Sequence, residues 1–138
     1  MLRLSEGDAL ALFDGRGHEW VGLVTAATRQ AVEVSGLEAI GAVPEARVPV
    51  TLAAGVLKGD QMDAAVRDAT MLGVTAIVPL RTSRVTVTPK AWQSGAARKR
   101  WQRVAVASAT QCRRAVVPDV RPVTDFEACL RQIGRAHV

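Results

Sequence analysis

The sequence predicts two modules of different fold class, a small antiparallel β-sheet module followed by a parallel α/β unit. Apolar and polar side chains alternate through the first forty residues, which also turn often, as antiparallel strands do. Two continuous apolar runs follow at residues 48–57 and 74–80, and such runs are typical of strands buried on both faces of a parallel sheet. Gly41 and Pro44 break both patterns within residues 38–47, which we interpret as the linker.

In the first module we expect three strands, at residues 9–13, 19–25 and 31–37, rich in Val, Leu and Thr. Asp14-Gly15 lies between the first two and predicts a tight hairpin, because glycine supplies the positive φ that such turns need. Three strands alone are marginally stable. The module is therefore expected either to pack on the second module or to have further strands upstream.

In the second module the apolar runs flank a predicted helix. Asp60 stands at the position of an N-cap, Asp63 favours the positive end of the helix dipole, and Leu72-Gly73 supplies a stop. Apolar residues recur between them at helical spacing, namely Met62, Ala65, Val66 and Ala69. Strand, helix and strand of these lengths predict a βαβ unit with a right-handed crossover.

The remaining sequence predicts a short strand at residues 83–88, a long helix from about residue 96 to residue 114, and a last short helix. Pro118 and Pro122 hold the chain extended between the two helices, and Thr124 with Glu127 matches a capping box. One stripe of the long helix is expected to face the core; it consists of Trp101, Val104, Ala105, Ser108 and Cys112. A parallel sheet of two or three strands has no closed core.

The charge is divided unevenly along the chain. Residues 1–80 contain six basic and ten acidic side chains, whereas residues 81–121 contain ten basic side chains against Asp119 alone, a net charge of +9. The ten are Arg81, Arg84, Lys90, Arg98, Lys99, Arg100, Arg103, Arg113, Arg114 and Arg121. Such a block is typical of a surface that binds phosphates, and the alternative is a solvated face without a partner.

Other function classes have little support in the sequence. Cys112 and Cys129 do not form a CxxC pair, and His18 and His137 lack the spacing of metal ligands, so we expect reduced thiols and no metal site. The three tryptophans are expected to be packing anchors more than base-stacking platforms. No apolar run is long enough to cross a bilayer, and acidic residues interrupt any signal peptide, which predicts a cytoplasmic location.

Three segments carry a family resemblance: LFDGRGHEWVGLV, LKGDQMDAAVRDATMLGVTAIVPL and RWQRVAVASATQCRRAVVPDVRPVTDFEA. In order and spacing they resemble the ribosomal RNA small-subunit methyltransferase E family, RsmE, from Leu2 to about Leu130. The resemblance implies a partial PUA-like β-barrel at residues 1–46, followed by the first part of a SPOUT-type α/β domain at residues 47–131. It also implies a homodimeric enzyme that transfers the methyl group of S-adenosylmethionine to N3 of a uridine in 16S ribosomal RNA.

The resemblance also implies what is missing from the chain. The family's glycine-rich GPEGG loop and later LRxETA stretch, which hold the methyl donor in a trefoil knot, do not occur, and the family's barrel begins upstream of Leu2. We therefore expect a chain truncated at both ends, with no donor-binding residue and no catalytic residue that can be named. The last residues, QIGRAHV at 132–138, look like a translated sequencing adapter and are expected to be non-native.

Four residues are site candidates by resemblance. Lys58 follows the first parallel strand, and Arg84 closes a Thr-Ser-Arg segment where the family has Ser-Glu-Arg. Gln111 and Arg114 match the first and last residues of a Gln-Cys-Gly-Arg segment of the family, and Arg113 stands here in place of the family's glycine. Asp60 is expected mainly to cap its helix. The basic patch expected to face RNA comprises Arg81, Arg98, Lys99, Arg100, Arg103 and Arg113.

Three functions remain open from the sequence. The first is an S-adenosylmethionine-dependent methyltransferase of 16S ribosomal RNA, present here in part and inactive by itself. The second is a non-catalytic RNA-binding module, for which the β module and the basic helix would suffice. The third is a structural piece whose positive charge has no partner.

Overall fold

A computed structural model of the chain describes residues 4–85, 92 and 95–133. The chain divides into two compact units, one formed by Met1–Pro44 with Arg113–Val116 and the other by Glu45–Cys112 with Val117–Val138. The end of the strand predicted at residues 83–88, Lys90, and most of the predicted tail at residues 132–138 lie outside the described residues. Among the described helices, none has the length and apolar character needed to cross a membrane.

The first unit contains an antiparallel sheet of three strands in the order β1-β2-β3. These strands are β1 (Ala9–Phe13), β2 (Glu19–Ala27) and β3 (Val32–Ile40), which confirms the three strands expected from alternation. Gly22 permits the close approach of β2 and β3, since a Cβ there would lie 2.6 Å from Cγ1 of Val34. A break in strand register lies between Val21 and Leu23, on either side of this glycine.

The turn between β1 and β2 is built around Asp14. Its carboxylate accepts hydrogen bonds from the backbone N–H of Arg16 at 2.7 Å and of His18 at 3.2 Å, and it contacts the His18 ring at 2.7 Å. The predicted hairpin is present, and Gly15 has the expected positive φ, 77°, but residues 14–18 connect the strands, so the connection is longer than a tight turn. Val116 forms isolated β-bridges with Gly15 and Arg16, so a segment from late in the sequence completes this unit.

The second unit alternates strands and helices. Its elements in order are β4 (Thr51–Gly55), α1 (Asp60–Met71), β5 (Ala76–Arg81), α2 (Ala96–Cys112), β6 (Asp119–Val120), β7 (Thr124–Asp125) and α3 (Phe126–Ile133). β5 is central, with β4 parallel to it on one side and β6 and β7 parallel to successive parts of it on the other. The predicted parallel α/β unit is therefore confirmed.

The core of the second unit lies around β5 and the two longer helices. Ile77 and Val66 are fully buried, and Trp101 is buried on α2 as a packing anchor. The buried cluster consists of Val56, Met62, Val66, Ala69, Val74, Ile77, Trp101, Ala105 and Val120, and Trp92 packs against it. Of the predicted α2 stripe, Trp101, Ala105 and Ser108 are buried, while Val104 and Cys112 are half-buried.

Three local predictions were wrong. Gly59, not Asp60, is the N-cap of α1, and no side chain caps that helix. Thr124 does not begin a capping box, because it pairs with Leu80 as part of β7 and its hydroxyl donates to the carbonyl of Pro122. Helix α2 ends at Cys112 rather than at residue 114, because Arg113 adopts a positive φ of 58°.

Candidate functional site

The carboxyl ends of the parallel strands bring two predicted site residues to one edge of the sheet. Lys58 follows β4 and Arg84 follows β5, and the two strands pair in register from Thr51 with Ala76 to Gly55 with Leu80. Lys58 and Arg84 are both exposed, and within the described part of the chain neither forms an ion pair. Loops at this edge of an α/β sheet are where ligands bind. The arrangement suits binding of an anion.

A cleft of about 760 Å³ opens at the same edge, beside the end of β5 and the start of α3. The residues that line it are Arg81, Thr82, Ser83, Asp125, Phe126, Glu127 and Arg131. Nε of Arg81 donates to the Asp125 carboxylate at 2.5 Å. This hydrogen bond raises the pKa of Arg81 and lowers the pKa of Asp125, so both groups stay charged and largely neutralise each other.

Arg98 and Arg100, two members of the predicted basic patch, are engaged inside the second unit. Arg100 donates to Asp60 at 2.8 Å and also to Asp63, and thereby joins the first turn of α1 to α2. The hydrogen bond with Asp63 is the largest of the effects that raise the pKa of Arg100. Arg98 donates through Nε to the carbonyl of Val120 at 2.6 Å.

Lys99 and Arg103 form a second class within the same patch. Both are exposed on α2, four residues apart, and neither forms an ion pair with any described residue. Nε of Arg103 reaches only the carbonyl of Lys99, at 3.4 Å. A groove of about 510 Å³ runs beside them, lined by Lys99, Gln102, Arg103 and Val106. The basic patch is therefore part internal structure and part open cationic surface.

The residues at the end of α2 differ in exposure. Gln111 is exposed in the last turn of the helix, and Arg113 is exposed just beyond it. Arg114 is buried, with 9% of its surface exposed, and it has an interaction partner within the chain. The Gln111 side chain is therefore accessible from solvent, whereas a role for Arg114 would require its side chain to act from a buried position.

Sequence reasoning missed the residue that fixes the extended segment after α2. The Gln102 amide donates through Nε2 to the carbonyl of Pro118 at 3.1 Å, and its Oε1 accepts the backbone N–H of Val120 at 2.9 Å. Asp125, the partner of Arg81, was missed as well. The sequence offered only a weak signal for the contacts of Gln102. Gln102 lies one helical turn after Arg98, so the two side chains share a helix face, and both precede a proline-flanked extended segment that they could contact.

The described residues do not form a complete site for an adenosyl methyl donor. Of the seven residues that line the cleft at the carboxyl edge, Thr82 alone is half-buried and the other six are exposed. Small-molecule sites are mostly apolar and enclose most of the ligand surface. An open cleft with an ion pair at its wall does not fit such a donor.

Two family models match the chain. The model for an RNA methyltransferase domain matches residues 44–138, and the model for an RNA methyltransferase PUA domain matches residues 2–35. Their order along the chain agrees with the two units seen in the structure. The predicted fold class, a PUA-like sheet followed by the first part of a SPOUT-type α/β domain, is confirmed.

Relatives with a curated name are similar over nearly the whole chain. Ribosomal RNA small subunit methyltransferase E of Synechocystis sp. is 33% identical over 97% of this chain and 42% of its own length. The protein of the same name from Bacillus subtilis is 26% identical over 96% of this chain and 52% of its own length. The chain therefore spans about half the length of the curated relatives it matches.

A solved structure shows the same fold. The crystal structure of a ribosomal RNA small subunit methyltransferase E from Neisseria gonorrhoeae, bound to S-adenosyl methionine, matches with a TM-score of 0.87 and 27% identity. The match covers 93% of this chain and 53% of that one.

Proposed function

The chain belongs to the RNA methyltransferase domain family, and from this premise we propose that it acts as part of an enzyme that methylates N3 of a uridine in 16S ribosomal RNA. The observation that carries the proposal is the match of residues 44–138 to that family model. The methyl donor is S-adenosylmethionine, which is bound in the structure of the Neisseria relative. Homodimeric assembly and a cytoplasmic location belong to the same proposal.

In this proposal the described residues bind and orient RNA. Lys58 and Arg84 follow adjacent parallel strands, so both lie at the edge of the sheet where ligands of α/β proteins bind. Arg84 is free of internal ion pairs among the described residues, and a guanidinium can hold a phosphate through two hydrogen bonds. S-adenosylmethionine supplies an activated methyl group, and the role of these cations is to place the target nucleotide.

The open cleft leads to a specific expectation for residues 1–138 on their own. We expect them to bind RNA but to transfer no methyl group, and to bind S-adenosylmethionine weakly at most. Isothermal calorimetry with the donor and a filter assay with labelled donor and unmethylated small ribosomal subunits measure the two properties. Micromolar donor affinity would contradict this assignment of roles.

The reaction itself is tested on the complete reading frame at this locus. Methylation at N3 blocks the pairing edge of uridine, so reverse transcriptase stops at the modified base and reports its position. Unmethylated small subunits treated with the enzyme and donor should show one new stop in 16S RNA. RNA binding without any stop would favour the non-catalytic RNA-binding module instead.

Arg84→Gln is expected to reduce the rate of that methylation by about tenfold or more, since a charge-assisted hydrogen bond to phosphate contributes about 1.5–3 kcal/mol. Arg67→Gln removes the same charge from an exposed position on α1 and serves as the matched control. Equal rates for the two variants would remove Arg84 from the site.

A further inference from the structure

Four cations lie near the start of α2, namely Arg98, Lys99, Arg100 and Arg103. We propose that, of these four, Lys99 and Arg103 bind phosphates, and that Arg98 and Arg100 act within the fold. The bound partner is the phosphodiester backbone of single-stranded RNA. The inference rests on the proposed function, because it names the residues through which the chain would hold its RNA.

The cations of α2 lie near its N-terminus. Helix α2 begins at Ala96, so residues 98–103 occupy its first two turns, and α2 contains no acidic residue. Cations near a helix N-terminus face the positive end of the helix dipole and destabilise the helix. This effect is confined to about the first turn, which contains Arg98 and Lys99, and α2 itself supplies no acidic partner for any of the four cations.

Two of the four cations, Arg98 and Arg100, have partners on other elements of the second unit. Arg100 contacts both Asp60 and Asp63, and Arg98 donates to the Val120 carbonyl and lies 3.6 Å from Asp119. These contacts connect α2 to α1 and to β6 within one unit. Arg98 and Arg100 are therefore explained by the packing of the second unit.

Lys99 and Arg103 have no such partner outside α2 among the described residues. They lie one turn apart on an exposed face, where like charges repel each other, and Arg103 reaches only the carbonyl of Lys99. Side chains one turn apart on a helix are separated by about 5–6 Å between Cβ atoms, the same order as neighbouring phosphates of a nucleic-acid strand. An anion bound across both would relieve the repulsion.

The surface beside the pair also fits a nucleic-acid strand. Val106 is exposed and lines the same groove as Lys99, Gln102 and Arg103, so one apolar side chain lies next to the two cations. A ribose can contact this side chain while the phosphates meet the cations. Gln102 is held by Pro118 and Val120, which fixes one side of the groove.

The salt dependence of RNA binding tests the proposal. Affinity of residues 1–138 for a fluorescent single-stranded RNA is measured by anisotropy at several salt concentrations. Lys99→Gln and Arg103→Gln should each make the slope of log K against log salt shallower by about 0.7, and the double variant by about twice that. Arg67→Gln removes one exposed charge from α1 and should leave the slope unchanged.

Arg100→Gln is the variant that separates the two classes. It should lower the melting temperature, because the ion pairs of Arg100 with Asp60 and Asp63 are lost, while the slope of log K against log salt stays that of the unmodified chain. A slope that falls as much for Arg100→Gln as for Arg103→Gln overturns the proposal, as does an unchanged slope in the double variant. If the unmodified chain itself binds no RNA, the RNA-binding part of the proposed function fails; if it binds RNA but the slopes disagree, this inference alone fails.

Discussion

The two units of the molecule are stabilised in different ways. In the described part of the first unit, buried apolar side chains are few, chiefly Val24 and Ala115, and several large apolar side chains of its strands are exposed. In the second unit, helices α1 and α2 pack with β5 around a cluster of nine buried residues. The comparison indicates that the second unit provides most of the apolar stabilisation, and that the first depends more on backbone pairing.

Polar contacts follow the same division. Asp14 and Thr28 organise turns of the first unit through partners no more than four residues away in sequence. In the second unit Arg100 and Asp60 are separated by 40 residues, and Arg81 and Asp125 by 44. Local side-chain contacts shape the turns of one unit, whereas distant ion pairs connect the elements of the other.

The largest expected effect comes from the centre of the second unit. Ile77→Ala removes a side chain that is 0% exposed and should lower the free energy of unfolding by about 2–5 kcal/mol, through lost burial and the cavity left behind. Urea denaturation followed by circular dichroism measures it. Leu72→Ala, at a residue 85% exposed, is the control and should change the value by less than about 0.5 kcal/mol.

A smaller effect is expected from the most buried strand residue of the first unit. Val24→Ala should cost about 1–2 kcal/mol, since two methyl groups leave a contact region that is itself small. Amide hydrogen exchange should show faster exchange in β1 and β2 and unchanged exchange in β5. Equal loss of protection in both sheets would show that the two units unfold as one.

A gain of stability is expected at the end of α2. Arg113 has a φ of 58°, which glycine adopts without strain and arginine does not. Arg113→Gly should therefore raise the free energy of unfolding by about 0.5–1 kcal/mol. Arg113→Ala removes the same charge but keeps the strain, so thermal denaturation should show no gain for it.

The smallest expected effect is the acid response of the first unit's hairpin. Desolvation raises the pKa of Asp14, but hydrogen bonds from the His18 ring and from the backbone N–H groups of Arg16 and His18 outweigh it and lower the pKa to about 2. Because the folded pKa lies below the ordinary value of 3.8, the stabilisation is present above pH 3.8 and is lost as the pH falls toward 2.

Carboxyl chemical shifts measured by NMR should show Asp14 titrating near pH 2. His18→Ala removes the ring hydrogen bond and should move the midpoint upward. A midpoint near 3.8 in the unmodified chain would show that the turn does not hold the carboxylate.

The strands were predictable because their periodicity is local. Alternation located both ends of β1, at Ala9 and Phe13, and the apolar runs located β4 and β5. Thr124 was misread because its pairing with Leu80 is tertiary and overrides the capping pattern. Asp60 was misread because its partner Arg100 lies 40 residues further along the chain.

For the candidate site, the sequence predicted that many cations are present but not which of them are free to bind a ligand. The positive charge of residues 81–121 was visible in the sequence, but which cations meet internal carboxylates depends on how helices and strands pack. The roles of Lys58, Arg84, Gln111 and Arg114, and the domain boundaries at residues 46 and 131, stay predictions.

The contacts of α2 with residues 118–120 have a consequence for the behaviour of the protein in concentrated solution. β6 pairs with β5 on one side, and an open outer edge of a strand can template pairing with another chain. On that outer side Gln102 occupies the Pro118 carbonyl and the Val120 N–H, and Arg98 occupies the Val120 carbonyl. Two helical side chains thus replace a neighbouring strand and protect this edge from aggregation.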